Sequence, residues 1–139
     1  MTALNQTAAN VVVYGSPAVA HGTAGGTITA GMPVYRDTGD SNKLKACRAN
    51  AATTAVCYGV ALNSASNGQP LAVLRAADSV INLGATVAAG IVYCVSDAVA
   101  GQIVPSGDLG SGDYTSVIGI GINTTHVQMN INNSGVAIA

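Results

Sequence analysis

The chain has 139 residues, the length of one domain, and only 8% of them are charged, about a third of the fraction in an ordinary soluble domain. Its net charge of −1 excludes the basic surface that nucleic-acid-binding proteins use, and no apolar run is long enough to span a membrane. Since so few charges keep neighbouring molecules apart, we expect much of the surface to be buried against other subunits.

The N-terminal region, residues 1–26, is uncharged and contains one apolar β-forming segment. We predict that this region is an extended arm that adds a strand to a neighbouring chain, or the first strand of its own domain. The candidate contact residues in this segment are Val11, Val12, Val13 and Tyr14. The region lacks the basic start and long apolar core of a signal peptide, so secretion is not indicated.

Residues 27–139 are predicted to form a single β domain, because short apolar or alternating segments are separated by turn residues. Over the whole chain, we expect strands at residues 11–14, 33–36, 43–48, 56–62, 70–75, 80–83, 91–95, 102–104, 115–123 and 125–132. The Ala-rich segment 49–55 is compatible with a short helix, and 108–113 with a tight loop. The predicted fold class is all-β, a compact β-barrel or β-sandwich with at most one or two short helices.

The domain contains an internal repeat with a period of about sixty residues. TITAGMPVY, from Thr27, aligns with TVAAGIVY, from Thr86, if Pro33 is an additional residue. YGVALN, from Tyr58, likewise aligns with IGIGIN, from Ile118. We therefore predict that one supersecondary unit occurs twice, as residues 27–63 and 86–123.

Alternation in the repeated strands predicts one bulky face and one face almost without side chains. The bulky faces bear Val60 in the first copy and the isoleucines at 118, 120 and 122 in the second, and we expect both to point into the core. The small faces are predicted to approach a second sheet or a neighbouring subunit closely. These candidate contact residues are Gly59, Ala61, Gly119 and Gly121.

Residues suited to catalysis or metal binding are few, and we predict no catalytic residue, metal or cofactor. The six Asp residues all lie in or beside predicted turns, and DTGDSN, from Asp37, does not match the spacing of an EF-hand. His126 falls on the polar side of an alternating strand, which favours a surface role. The three cysteines show no paired spacing and are interpreted as small buried hydrophobes: Cys47, Cys57 and Cys94.

Several longer segments resemble the small capsid cement proteins, or head decoration proteins, of tailed bacteriophages. These segments are TITAGMPVY, YGVALNSASNGQPLAVL, VINLGATVAAGIVYCVSD and GQIVPSGDLGSGDYTSVIGIGI. In that family similar phrases recur: G(V/I)ALNSA with GQP, then INLGAT with GxVY, then a loop with SGD. The resemblance extends over about residues 27–131, and its motifs are structural signatures of Gly, Asn and Pro.

The resemblance implies a β-rich structural protein that binds the outside of an icosahedral head, commonly as a trimer, and clamps neighbouring capsid subunits. The expected partners are the major capsid protein and further copies of this chain as a homotrimer, with neither nucleic acid nor a membrane. The expected location is the exterior of the virion, after synthesis in the host cytoplasm, with no enzymatic activity. Two alternatives remain open: another phage structural module such as a tail tube, fibre or surface-layer domain, and, less favoured, a carbohydrate-binding or hydrolase module using turn aspartates and His126.

Overall fold

The computed structural model describes residues 3–139, so Met1 and Thr2 of the predicted N-terminal region lie outside the described part. The fold is all-β, as predicted, with two single-turn 3-10 helices at Ala8–Asn10 and Ser106–Asp108. The strands of the described residues are β1 (Val11–Tyr14), β2 (Val19–Thr23), β3 (Pro33–Asp37), β4 (Lys43–Ala46), β5 (Gly59–Ala61), β6 (Pro70–Leu74), β7 (Val80–Leu83), β8 (Val92–Val95), β9 (Ile103–Pro105), β10 (Tyr114–Gly121) and β11 (Val127–Ala137).

The strands form two antiparallel sheets that pack together as a sandwich. The six-stranded sheet has the order β1-β7-β11-β10-β8-β9, and the five-stranded sheet has the order β2-β6-β5-β3-β4. The five-stranded sheet is curled, and a single parallel bridge between Ala24 and Leu44 brings its two edges together. One bridge does not close the sheet into a barrel. Of the two predicted architectures, the structure therefore shows the sandwich.

The two sheets share one strand topology. Strands β2 to β6 stand in the order first, fifth, fourth, second and third across the five-stranded sheet, and β7 to β11 follow the same order in the six-stranded sheet. Strand β1 is the additional edge strand. The pairing register agrees as well, since Val34 pairs with Ala46 as Tyr93 pairs with Pro105, with the same separation in sequence. The structural equivalence therefore extends over whole sheets and beyond the ranges 27–63 and 86–123.

The register also corrects the sequence alignment at Pro33. Pro33 pairs with Val60, and Val92 pairs with Ile120, which is the residue equivalent to Val60. Pro33 and Val92 therefore occupy the same position in their sheets. Pro33 is therefore not an additional residue. The sequence alignment matched Val34 with Val92, whereas the strand pairing makes Val34 equivalent to Tyr93, one position further along.

Two hydrophobic cores stabilise the molecule. The larger core lies between the sheets and includes Ile81, Tyr93, Ile118, Met129 and Leu74. The smaller core lies along the other side of the curled sheet and contains Ala24, Ile28, Val34, Leu44, Ala61, Ala65, Leu71 and Val73. Since the chain has no Phe or Trp, these cores are built mostly from aliphatic side chains, and Tyr93 is their largest fully buried member.

Several predicted elements differ from the structure. Strand β2 was not expected, since VAHGT has two polar residues and a glycine and shows little apolar alternation. The short helix considered for residues 49–55 is absent from this described segment, which forms turns instead. A single helix-like bond from the Ala55 amide to the Ala51 carbonyl, 3.1 Å, is accompanied by the Arg48 amide donating to the Thr54 carbonyl, which folds the segment back on itself.

Strand β10 contains a register shift between Val117 and Gly119, and this irregularity reverses the predicted faces of its second half. Ile118 is fully buried in the core between the sheets, as expected. Ile120 and the following Ile122 are exposed, 42% and 46%, so the expectation that they point into the core is wrong. A bulge adds one residue to one strand, so the alternation of faces does not continue through it.

The N-terminal region packs on its own domain. Strand β1 pairs with β7 of the same chain, from Val11 opposite Leu83 to Tyr14 opposite Val80. Before it, the Gln6 side-chain amide donates to the carbonyls of residues 31 and 101, at 3.0 and 3.1 Å. The total surface of 6380 Å² is close to the roughly 6,600 Å² expected for a compact monomer of this mass. The described part of the region therefore contributes β1 to one sheet and β2 to the other sheet of its own chain.

Candidate functional site

The outer surface of the six-stranded sheet is uncharged and mixes apolar side chains with exposed amides such as Gln128 and Asn130. Its strands contain no Asp, Glu, Lys or Arg. Register places Tyr14, Val80, Gln128 and Ile120 side by side, and directly paired residues share one face of a sheet. We call this surface the uncharged face. Its exposed apolar side chains are Val12 (47%), Tyr14 (37%), Ile120 (42%) and Ile122 (46%).

His126 lies on the uncharged face and is held by its neighbours. Its imidazole stacks on the Tyr14 ring, with centroids 4.1 Å apart and an interplanar angle of 7°. Its Nδ1 lies 2.6 Å from the Thr125 hydroxyl, and the Asn123 side-chain carbonyl accepts the amide protons of Thr125 and His126. This packing makes His126 part of a rigid surface and places it beside β1, which the sequence alone did not indicate.

The four predicted contact residues of β1 divide between two environments. Val11 and Val13 are partly buried and pack on the core between the sheets, whereas Val12 and Tyr14 belong to the uncharged face. The alternation of a strand explains this division. Val12 and Tyr14 are therefore the two that a partner can contact.

The predicted small-residue contacts lie inside the chain. Gly59, Ala61, Gly119 and Gly121 are all buried. A Cβ atom on Gly121 would collide with the carbonyl oxygen of Ala88, and one on Gly119 would collide with that of Gln128. Other parts of the same chain approach the three glycines closely, and all four residues are covered by their own chain.

A cluster of two arginines and a tyrosine lies at one end of the central strands β3, β5 and β6 of the curled sheet, and we call it the arginine–tyrosine cluster: Arg36, Tyr58 and Arg75. The guanidinium carbons of Arg36 and Arg75 lie 5.1 and 4.0 Å from the centroid of the Tyr58 ring. Arg75 Nε also donates to the Tyr58 carbonyl, at 2.7 Å. The two distances from a guanidinium carbon to the Tyr58 ring centroid are within the range of attraction between a cation and an aromatic ring. Since 17 residues separate Tyr58 from Arg75, sequence spacing gave no signal for this cluster.

The neighbouring charges on β3 and β4 neutralise one another. Lys45 Nζ lies 2.7 Å from Asp37 Oδ2 and 3.0 Å from Asp40 Oδ2. The hydrogen bond from Lys45 holds the pKa of Asp37 below its ordinary value, and the two carboxylates raise the pKa of Lys45 above its ordinary range. Asp37 Oδ1 also accepts the Gly39 amide at 3.0 Å, as expected for an aspartate in a turn.

The cysteines are three free, buried thiols. Burial raises the pKa of Cys94 to about 11. Burial is also the main cause that raises the pKa of Cys47, and a hydrogen bond with Cys57 raises it further. Thiols with raised pKa values stay protonated at neutral pH and are poor nucleophiles. Their packing agrees with the interpretation as small buried hydrophobes.

A cleft of about 640 Å³ lies between the N-terminal segment and residues 84–88. Its lining contains no charged side chain, and Tyr93 contributes a hydroxyl that accepts the Ala88 amide at 2.8 Å. Within residues 3–139, no group of three or more His, Cys, Asp or Glu side chains is placed to bind a metal ion. None of the helical segments in the same part of the chain has the length and apolarity needed to cross a bilayer.

Comparison with known proteins gives no match: no family model, no curated protein sequence and no solved structure is significantly similar to this chain.

Proposed function

We propose that this chain is a structural virion protein that binds the outer surface of a tailed-phage head and stabilises contacts between major capsid subunits. The proposal is supported by the resemblance of residues 27–131 to capsid cement proteins and by a surface suited to burial. It assigns the chain a binding role, with no enzymatic activity. The partners proposed are the major capsid protein and two further copies of this chain.

The uncharged face is the observation on which the proposal depends. Val12 and Tyr14 on β1 and the isoleucines at 120 and 122 expose more than a third of their surface on one side of the sheet, and Val80 and Gln128 lie between them. Contiguous exposed apolar side chains mark surfaces that a partner covers. We therefore assign the contact with the capsid subunit to this face.

Binding of this kind stabilises a shell by mass action. A protein that binds the assembled head, and not the dissociated subunits, raises the free energy needed to take the head apart. A homotrimer presents three copies of the uncharged face. Simultaneous contacts raise the overall affinity well above that of one copy, provided that the geometry lets them engage together.

The proposal is tested by mixing the purified protein with expanded heads that lack it. The protein should cosediment with the heads and raise their melting temperature in calorimetry. Ile120→Asp should weaken binding at least about tenfold, since a carboxylate buried without a partner is costly. Val99→Asp is the matched control, because Val99 is 50% exposed in the loop between β8 and β9, outside the uncharged face, and it should bind like the wild type.

Three outcomes would contradict the proposal. Heads that take up none of the protein would exclude the cement role, and cosedimentation with tails instead would favour the alternative of a tail or fibre module. Turnover of a glycan or ester substrate that is lost in His126→Ala or Asp113→Asn would favour the hydrolase alternative. A monomeric mass at micromolar concentration in analytical ultracentrifugation would contradict the homotrimer.

A further inference from the structure

The arginine–tyrosine cluster contains two cations without an anionic partner. Within residues 3–139, neither Arg36 nor Arg75 forms an ion pair with a carboxylate. Their guanidinium carbons lie no farther apart than the sum of their distances to the Tyr58 ring, 5.1 and 4.0 Å. Like charges at such a separation repel each other. An anion that accepts hydrogen bonds from either guanidinium would offset this positive charge.

The contacts with Tyr58 leave the hydrogen-bonding edges of both arginines available. A guanidinium that lies over an aromatic ring uses its flat face, and its N–H donors point outward in the plane. Arg75 uses only its Nε proton, for the carbonyl of Tyr58, so its terminal N–H groups remain. Such paired N–H groups match the two oxygens of a carboxylate.

The surroundings of the cluster are open and contain no competing acid. Arg36 and Tyr58 line a cleft of about 250 Å³ together with polar side chains of His21, Ser41 and Asn42. The same two residues and Arg75 line a second cleft of about 420 Å³, and neither cleft has an acidic residue in its lining.

The acids closest to Arg36 along the chain, Asp37 and Asp40, are bound to Lys45. Asp37 follows Arg36 in β3, and successive residues of a strand face opposite sides, so Asp37 points away from the cluster. It pairs there with Lys45, which also binds Asp40. The positive charge of the cluster is therefore not cancelled by its own sheet.

We propose that the arginine–tyrosine cluster binds carboxylate groups on an acidic surface of a partner protein. Two arginines with free in-plane donors, an aromatic platform and polar cleft walls form a site for an anionic side chain. The inference rests on the proposed function only for the partner's identity, which would then be a capsid subunit. The site would serve as a second, ionic contact, separate from the uncharged face.

The test uses the full chain and a capped peptide of alternating Glu and Ser residues. NMR signals of the Arg36 and Arg75 Nε–H groups and of the Tyr58 ring should shift saturably with this peptide. The same peptide with Gln in place of Glu should cause no saturable shift. The double variant Arg36→Gln/Arg75→Gln should lose at least about tenfold in affinity, because charge-assisted hydrogen bonds are lost.

The matched control is Lys43→Gln/Arg48→Gln, which removes the same charge from residues outside both clefts and should bind the acidic peptide like the wild type. The inference is overturned if the acidic peptide gives no saturable shift, or if both double variants weaken binding equally. It is also overturned if inorganic phosphate or single-stranded DNA occupies the cluster more tightly than the peptide. If the protein binds heads but not the acidic peptide, this inference is rejected and the cement role is retained. If the protein binds the peptide but not heads, the cement role is rejected and this inference is retained.

Discussion

The two sheets of this molecule have one topology and opposite surface chemistry. The strands of the six-stranded sheet contain no charged residue, whereas all basic residues of the chain lie in or close to the five-stranded sheet: Arg36, Lys43, Lys45, Arg48 and Arg75. Main-chain hydrogen bonds define the topology, and outward side chains do not take part in them. The same arrangement of strands can therefore present an uncharged surface on one side and an ionic one on the other.

The largest expected effect comes from the glycines that occupy equivalent strands of the two sheets. Gly121→Ala places a methyl group directly against the Ala88 carbonyl oxygen, whereas Gly59→Ala meets the Val73 side chain first and the Leu74 carbonyl oxygen at 2.7 Å, so its overlap with backbone is smaller. A side chain can move aside more readily than the backbone. We expect a loss of about 3 kcal/mol in unfolding free energy for Gly121→Ala and a smaller loss for Gly59→Ala, measured by urea denaturation.

Gly26→Ala is the control for this pair, since a Cβ atom there has no neighbour within 4 Å and the residue has no positive φ. Its unfolding free energy should stay within about 0.5 kcal/mol of the wild type. Equal losses of unfolding free energy for Gly121→Ala and Gly59→Ala would show that the groups in contact with the two glycines move aside equally little.

A smaller effect is expected at the buried tyrosine of the six-stranded sheet. Tyr93 is 1% exposed and its hydroxyl accepts the Ala88 amide, whereas the equivalent residue of the five-stranded sheet, Val34, has no hydroxyl. Tyr93→Phe leaves that amide without its acceptor and should cost about 1 kcal/mol in chemical denaturation. Tyr35→Phe is the control, because the Tyr35 hydroxyl forms no hydrogen bond within the described residues. If Tyr93→Phe were as stable as the wild type, the hydrogen bond from the Ala88 amide would not contribute to the stability of the six-stranded sheet.

The smallest effect is the pH dependence of the ion pairs on the five-stranded sheet. The lowered pKa of Asp37 means that its stabilisation is complete above the ordinary value of 3.8 and is lost as pH falls through the lower folded value. The raised pKa of Lys45 means that its stabilisation is complete below 10.5 and is lost only at higher pH. Lys45→Met should therefore slightly lower the urea midpoint at pH 7 and leave it nearly unchanged at pH 2.

Salt should diminish the effect of Lys45→Met at pH 7, since both partners are solvent-exposed and screened. The matched variant on the other sheet is Gln128→Met, which removes a polar side chain without a charge. Its effect should be independent of pH and salt. A difference between Lys45→Met and the wild type that persists unchanged at pH 2 would contradict the assigned role of the ion pairs.

Much of the fold could be predicted from local patterns. Strands β1 and β7 have the predicted bounds, and the aspartates of the turns bind main-chain amides as expected, for example Asp113 with the amide of Gly110 at 2.8 Å. Apolar alternation and turn residues act over a few neighbours in sequence. They can therefore be recognised without knowing how distant segments meet.

The candidate surfaces were predicted less well. The small residues at Gly59 and Gly121 indicated close approach, but not that the approaching backbone belongs to the same chain. The exposure of Ile120 depends on a bulge that the pattern of alternating residues does not reveal. The arginine–tyrosine cluster requires β3, β5 and β6 to be adjacent, and that adjacency is a property of the sheet order.

The sequence by itself determined that this chain forms short strands, that a unit of strands recurs, and that few charges remain for the surface. Only the tertiary structure decided that each recurring unit is a whole sheet, and which face of each strand is exposed. Alternation and turn preferences are local properties, whereas sheet order and register depend on contacts between residues far apart in the chain. TITAGMPVY and TVAAGIVY therefore indicate a repeat. Only the strand pairing shows that Pro33, opposite Val60, is equivalent to Val92, opposite Ile120.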